Sequence, residues 1–115
     1  LRRARAPKEE VERRVRKRHK AYLQLPDNLP KEVRDLSDNL SAGANNWFNK
    51  ADNINIHLKS NYPYDFKVGP TPKGMDVVYD FLFNKKRGYC EQFASSFVVM
   101  CRCQGIPARL VTGFN

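Results

Sequence analysis

The sequence predicts an α+β fold that is mostly helical over this stretch, and three observations carry that reading. Apolar residues recur at helical spacing over 33–40 and again over 47–62. The run from Cys90 to Gln104 is apolar almost all round, the pattern of a helix in the middle of a core. Gly105-Ile106-Pro107 then stops that helix, and Ala108 to Phe114 reads as a strand.

Taken in order, the chain opens on a basic arm. Residues 1–20 hold ten Lys/Arg against Glu9, Glu10 and Glu12, a charge of +7 out of the total +9. From Lys8 the arm can be helical, because Glu9–Arg13, Glu10–Arg14 and Glu12–Arg16 are (i, i+4) pairs in the favourable orientation. Its apolar stripe is thin, so residues 1–21 are expected to form a solvated lead-in helix or linker, with residues 22–115 as the domain proper. The arm could neutralise phosphates, but no aromatic residues interleave with its charges and no groove-reading motif follows, so no nucleic-acid partner is expected.

Pro30 suits a first helical position, with Val33, Leu36 and Leu40 facing inward and Gly43 as the stop. Asn45 or Asn46 can cap the next helix, whose Trp47, Ala51, Ile54, Leu58 and Tyr62 form one apolar stripe ended by Pro63. Tyr64 to Val68 is a short strand or extended loop, and Gly69 to Gly74 is a loop on its turn chemistry. Asp76 can cap a short helix that turns Val77, Val78, Phe81 and Leu82 inward, with Lys85-Lys86-Arg87 at its C-terminal end and Gly88 as its breaker. In the following helix only Glu91, Ser95 and Arg102 make a polar stripe.

Composition excludes several classes. A hydrophobic share of 41%, with seven Phe and five Tyr, suffices for a core, and no apolar run is long enough to span a membrane. No signal-peptide h-region follows the basic start, and both ends read as boundaries cut from a longer protein. Three cysteines cannot all pair within the chain. Cys101 and Cys103 lie about 200° apart around a helix, so a disulfide between them is not expected. No zinc-type spacing is present, and neither a metal nor a cofactor is expected.

Among the cysteines, Cys90 stands out. A nucleophilic thiol must ionise and stay accessible. Cys90 opens the apolar helix, where free N–H groups and the helix dipole favour an anion. The same N–H groups can serve a developing oxyanion, one good donor contributing about 3 kcal/mol. Gly88 would let backbone and substrate approach. Cys101 and Cys103 sit at the opposite end in apolar company and read as core residues.

Gly88-Tyr-Cys-Glu-Gln-Phe-Ala94, followed by Arg102-Cys-Gln-Gly-Ile-Pro-Ala-Arg-Leu-Val-Thr-Gly113, resembles the core motif of bacterial transglutaminase-like proteins. Tyr22-Leu-Gln-Leu-Pro26, Asn28-Leu-Pro30 and Asp76 to Phe83 resemble the approach to the catalytic helix in the membrane-anchored branch of that family. The resemblance runs from about Tyr22 to Asn115 and does not include the basic arm.

The resemblance implies the papain-like transglutaminase core, here only its cysteine-bearing part. It implies that Cys90 attacks a carboxamide carbonyl to form a thioester, with its own N–H in the oxyanion hole. Protein or peptide substrates with amide side chains follow from that, as does transglutaminase or cysteine-protease activity. Arg109, Gly105 and Pro107 match the motif as structural residues that turn helix into strand. Glu91 and Gln92 also match, without a role that the sequence explains. The family's His and Asp come from later strands, and neither His19 nor His57 matches that His. The expectation is therefore that these 115 residues alone are inactive. A non-catalytic binding or scaffold module that keeps the fold is the alternative. By the same resemblance, the domain is expected outside the cytoplasm on a membrane-anchored protein.

Overall fold

A computed structural model describes residues 8–109. Five helices and one 3₁₀ turn make up nearly all its regular structure: α1 Lys8–Arg18, the 3₁₀ turn Lys20–Leu23, α2 Lys31–Ser41, α3 Trp47–Asn61, α4 Val77–Tyr79 and α5 Cys90–Cys103. Between α4 and α5 lies a π-helical segment, Asp80–Lys85. Helices α2, α3 and α5 pack against one another around Val33, Ile54, Leu58, Phe81, Leu82, Met100 and Cys101, all at most 2% exposed.

The local reasons are mostly those expected. Asn46 caps α3 by accepting from the Asn49 N–H at 2.8 Å. The stripe Ile54, Leu58, Tyr62 is buried, while Trp47 and Ala51 are half-buried at its start. Asp76 caps α4 by accepting from the Tyr79 N–H at 2.9 Å. Gly43 adopts φ +84 just past α2, where a side chain would strain the backbone.

Four expectations are corrected. Pro30 is the N-cap of α2 rather than its first helical residue, its carbonyl accepting from the Val33 N–H at 3.1 Å. Val77 is half exposed rather than inward; it opens the single turn of α4, three residues ahead of the π segment. That turn ends at Lys86, in the left-handed region with φ 55, so Lys86 and not Gly88 breaks it. Helix α5 is buried on one side only: Ser96, Met100 and Cys101 are covered, while Phe93, Phe97, Val98 and Val99 remain half-buried.

Strand content among the described residues is a single parallel bridge, Tyr64 to Gly88. Residues 110–114 of the expected strand lie outside the described residues; before them, the Ala108 N–H donates to the Tyr22 carbonyl at 2.9 Å. Helix α1 touches the body through the Arg16 guanidinium, 5.8 Å from the Trp47 ring centre. Of its three expected ion pairs, Glu10–Arg14 forms among the described residues. Glu12 instead accepts a long 3.4 Å hydrogen bond from the Trp47 N–H.

Candidate active site

Cys90 is the first residue of α5 and is exposed, whereas Cys101 is buried and Cys103 half-buried. Main-chain bonds fix where the thiol sits. The Gly88 N–H donates to the Pro63 carbonyl at 3.2 Å, and the Gly88 carbonyl accepts from the Asp65 N–H at 2.7 Å. Next in the chain, extended Tyr89 is the N-cap, with φ −119 and ψ −173. Its carbonyl accepts from the N–H groups of Gln92 and Phe93, at 3.0 and 3.2 Å. Its own N–H donates to the Gln92 side-chain oxygen at 3.0 Å.

A helix leaves its first four N–H groups without helical partners. Here Tyr89 and Gln92 have been supplied, so the Cys90 and Glu91 N–H groups remain unengaged among the described residues. They flank the thiol at the positive end of the helix dipole.

Cys90 lies at one end of an open groove of about 630 Å³ between α3 and α5. Tyr64, Phe93 and Phe97 give it apolar walls, and Asn55 and Lys59 of α3 supply polar atoms. The walls are held by ring contacts. Phe93 meets Phe81 edge-on at 5.1 Å between centroids and stacks against Tyr64 at 6.3 Å. Phe81 in turn stacks on Tyr62 at 4.9 Å, and the Tyr62 hydroxyl donates to the Leu82 carbonyl at 3.0 Å. Burial pushes the Tyr62 phenol above its ordinary value and keeps it protonated.

Neither histidine lines this groove. His57 lies elsewhere on α3, with Nε2 3.3 Å from the Tyr62 hydroxyl and Nδ1 3.2 Å from the Asn61 amide. Desolvation lowers its pKa, leaving a neutral ring at neutral pH. His19 stacks on Tyr22 at 5.7 Å, in the 3₁₀ turn. Among the described residues no group of three or more His, Cys, Asp or Glu is placed to hold a metal ion.

The other cysteines are poor nucleophiles in this setting. Desolvation, with a contribution from Cys103, pushes the Cys101 thiol up to about 12. Burial likewise raises Cys103, against a lowering by Arg34. Motif residues Arg102 and Arg109 act at the other end of α5. Arg102 donates to the carbonyls of Ala108 and Gln24, each at 2.8 Å, while Arg109 lies 5.7 Å from the Tyr22 ring centre. Gly105 takes φ +78 as the chain leaves the helix.

Two contributors lie within the matched motif stretches but have no role that the sequence explains. Gln92 is one, visible only through the cap it completes. The other is Asp80, 2% exposed, which takes hydrogen bonds from Lys85 and Asn84 under the π turn. It precedes Phe81, the ring that meets Phe93 edge-on, in the same π-helical segment.

A family model described as the transglutaminase-like superfamily matches residues 34–115. The chain belongs to the transglutaminase-like superfamily. It is 43% identical over 96 residues to the Bacillus subtilis "Uncharacterized protein YebA", covering 82% of this chain and 13% of that protein. It is also 38% identical over 53 residues to a Pseudomonas aeruginosa protein-glutamine gamma-glutamyltransferase, covering 46% of this chain and 8% of that one. The chain thus spans about 13% and 8% of the length of these two relatives. No solved structure matches it.

Proposed function

We propose that the full-length protein transfers acyl groups from glutamine or peptide amides through a thioester on Cys90, as a transglutaminase or a cysteine protease. The observation that carries this reading is an exposed thiol at the first turn of α5, beside two unengaged N–H groups and at the end of an apolar groove. The Cys90 sulfur attacks the amide carbon, a C–S bond forms, and the carbonyl electron pair moves onto an oxygen held by the Cys90 and Glu91 N–H groups. Collapse breaks the C–N bond and expels ammonia or an amine, which takes its proton from a general acid. An incoming amine or water then breaks the C–S bond, giving a new amide or an acid.

The base that first deprotonates Cys90 belongs, in this reading, to a His–Asp pair on strands of an α+β papain-like core outside the described residues. Residues 1–115 alone would then not turn over. Substrates are proteins or peptides presenting amide side chains. The name of the Pseudomonas relative, protein-glutamine gamma-glutamyltransferase, agrees with glutamine as donor. We place the domain outside the cytoplasm on a membrane-anchored protein; among the described residues no helix is long and apolar enough to cross a membrane.

The test uses the full-length protein, a glutamine-containing peptide and a fluorescent primary amine. Expected are amine incorporation or ammonia release, a thioester adduct on Cys90 by mass spectrometry, and loss of all three in Cys90→Ser. Turnover by Cys90→Ser at the wild-type rate would remove the assignment. A wild-type protein that binds the peptide without forming an adduct would point to a binding module.

A further inference from the structure

The first turn of α5 must keep two N–H groups free beside Cys90 without leaving the rest of its entry unpaired, and the chain meets that demand in a specific way. Both main-chain polar groups of Gly88 are taken by residues 63–65. The Tyr89 carbonyl is taken by the two N–H groups that follow it in the helix. That leaves the Tyr89 N–H, half-buried at the entry, and Gln92 reaches back one turn to accept it at 3.0 Å. This is half of a capping box, with a tyrosine where serine or threonine usually stands.

Space around Gln92 is made to fit this bond. A Cβ added at Gly88 would lie 3.1 Å from Gln92 Cβ, 3.1 Å from Gln92 Oε1 and 3.1 Å from Phe81 Cδ1. Gly88 has an ordinary backbone conformation, since it is absent from the positive-φ glycines Gly43, Gly74 and Gly105. Its lack of a side chain therefore serves contact, not chain reversal: it admits the Gln92 amide against the backbone that enters α5.

We propose that Gln92 is a positioning residue for the reaction at Cys90, its side-chain oxygen holding the Tyr89 N–H so that the Cys90 and Glu91 N–H groups are fixed as the two oxyanion donors. The inference rests on the acyl-transfer reading above. Gln92 does not touch the reacting atoms. It sets the orientation of the peptide units that do, and an error of about 1 Å in such a unit costs up to about 100-fold in rate.

Full-length wild type, Gln92→Met and Gln92→Glu are compared for kcat and KM with the glutamine peptide, alongside hydrogen exchange at the Tyr89 amide. Methionine keeps the length and removes the acceptor, whereas glutamate keeps an acceptor. Gln92→Met is expected to lose about 10- to 100-fold in kcat with KM unchanged, and its Tyr89 amide to exchange faster. Gln92→Glu is expected to fall between the two in kcat and to keep Tyr89 protected. A Gln92→Met variant with wild-type kcat, or one no worse than Gln92→Glu, would overturn the role. If Gln92→Met does not fold, a Gln92→Glu variant that is folded but lacks Tyr89 protection while turning over normally overturns it too. A wild-type protein forming no thioester would remove the reaction itself and this role with it, a result distinct from loss of the Gln92 effect alone.

Discussion

Replacing Lys85 with methionine isolates the buried charge beneath the π turn. The Asp80 side chain is 3% exposed and that of Lys85 22%, and the two form an ion pair five residues apart. Asp80 also accepts from the Asn84 amide at 3.3 Å, and Lys85 donates to the Pro70 carbonyl at 3.0 Å. Burial alone would raise the Asp80 pKa; the Lys85 and Asn84 hydrogen bonds and the Lys85 charge outweigh it and hold the group below its ordinary 3.8. Removing one member of a buried pair costs about 3–5 kcal/mol. Since Asn84 still donates and Lys85 reaches the surface, about 3 kcal/mol is expected at pH 7.

The sign with pH follows. In the wild type, the stability contributed by Asp80 is present above 3.8 and is lost as pH falls through the lowered native value. In Lys85→Met burial is opposed only by the Asn84 and Thr71 hydrogen bonds, so the native pKa is expected to rise from its wild-type position. The carboxyl then takes up its proton as pH falls, and the penalty is relieved. The gap between the two proteins should be widest near neutrality and narrow toward pH 3. Urea unfolding of the 115-residue chain, followed by the fluorescence of its single tryptophan, Trp47, measures both. With a slope of about 1–3 kcal/mol/M, the midpoint should drop by roughly 1–3 M at pH 7. A loss that is equal at pH 7 and pH 3, or absent at both, would refute the argument.

Two further outcomes are expected. Alkylation by iodoacetamide at pH 8, mapped by mass spectrometry, should modify Cys90 first, Cys103 later and Cys101 last, because Cys101 is 1% exposed and its thiol, pushed up to about 12, stays protonated there. Ser37→Ala should cost about 1–3 kcal/mol in urea unfolding, since the buried Ser37 hydroxyl donates to the Met100 carbonyl at 2.7 Å and accepts from the Gln104 amide at 2.9 Å.

What the sequence made legible follows from which signals are periodic. The stripe from Trp47 to Tyr62 repeats at helical spacing, and α3 forms where that spacing places it. Cys90 was legible as a helix start because Gly88-Tyr89 precedes a long apolar run. The π turn was not, because its marks come at i, i+5: the Lys86 N–H donates to the Phe81 carbonyl at 3.0 Å, and Lys85 reaches Asp80. A reading tuned to 3.6 residues per turn therefore passes over it. Serines are hidden for another reason. Ser37 and Ser96 are fully buried on α2 and α5, but their type suggests a solvated face, and only tertiary packing says otherwise. Gln92 stood out as a motif residue but its role was hidden, because a capping box usually opens on serine or threonine and here Gln92 meets the Tyr89 backbone N–H.

The joint between residues 63–65 and Gly88 is made of main-chain atoms: Pro63 gives a carbonyl, Asp65 an N–H, and Gly88 one of each. The Tyr64 side chain takes no part in these two bonds, whereas the Asp65 carboxylate adds a 2.9 Å ion pair to Arg87 beside them. Replacing the exposed Tyr64 would alter the groove wall it forms with Phe93 and leave both main-chain bonds in place. Proline at 65 or 88 is the exception, because it would delete a donor from the seam. The entry to α5 is therefore held by backbone atoms that a side-chain substitution at 64 does not remove.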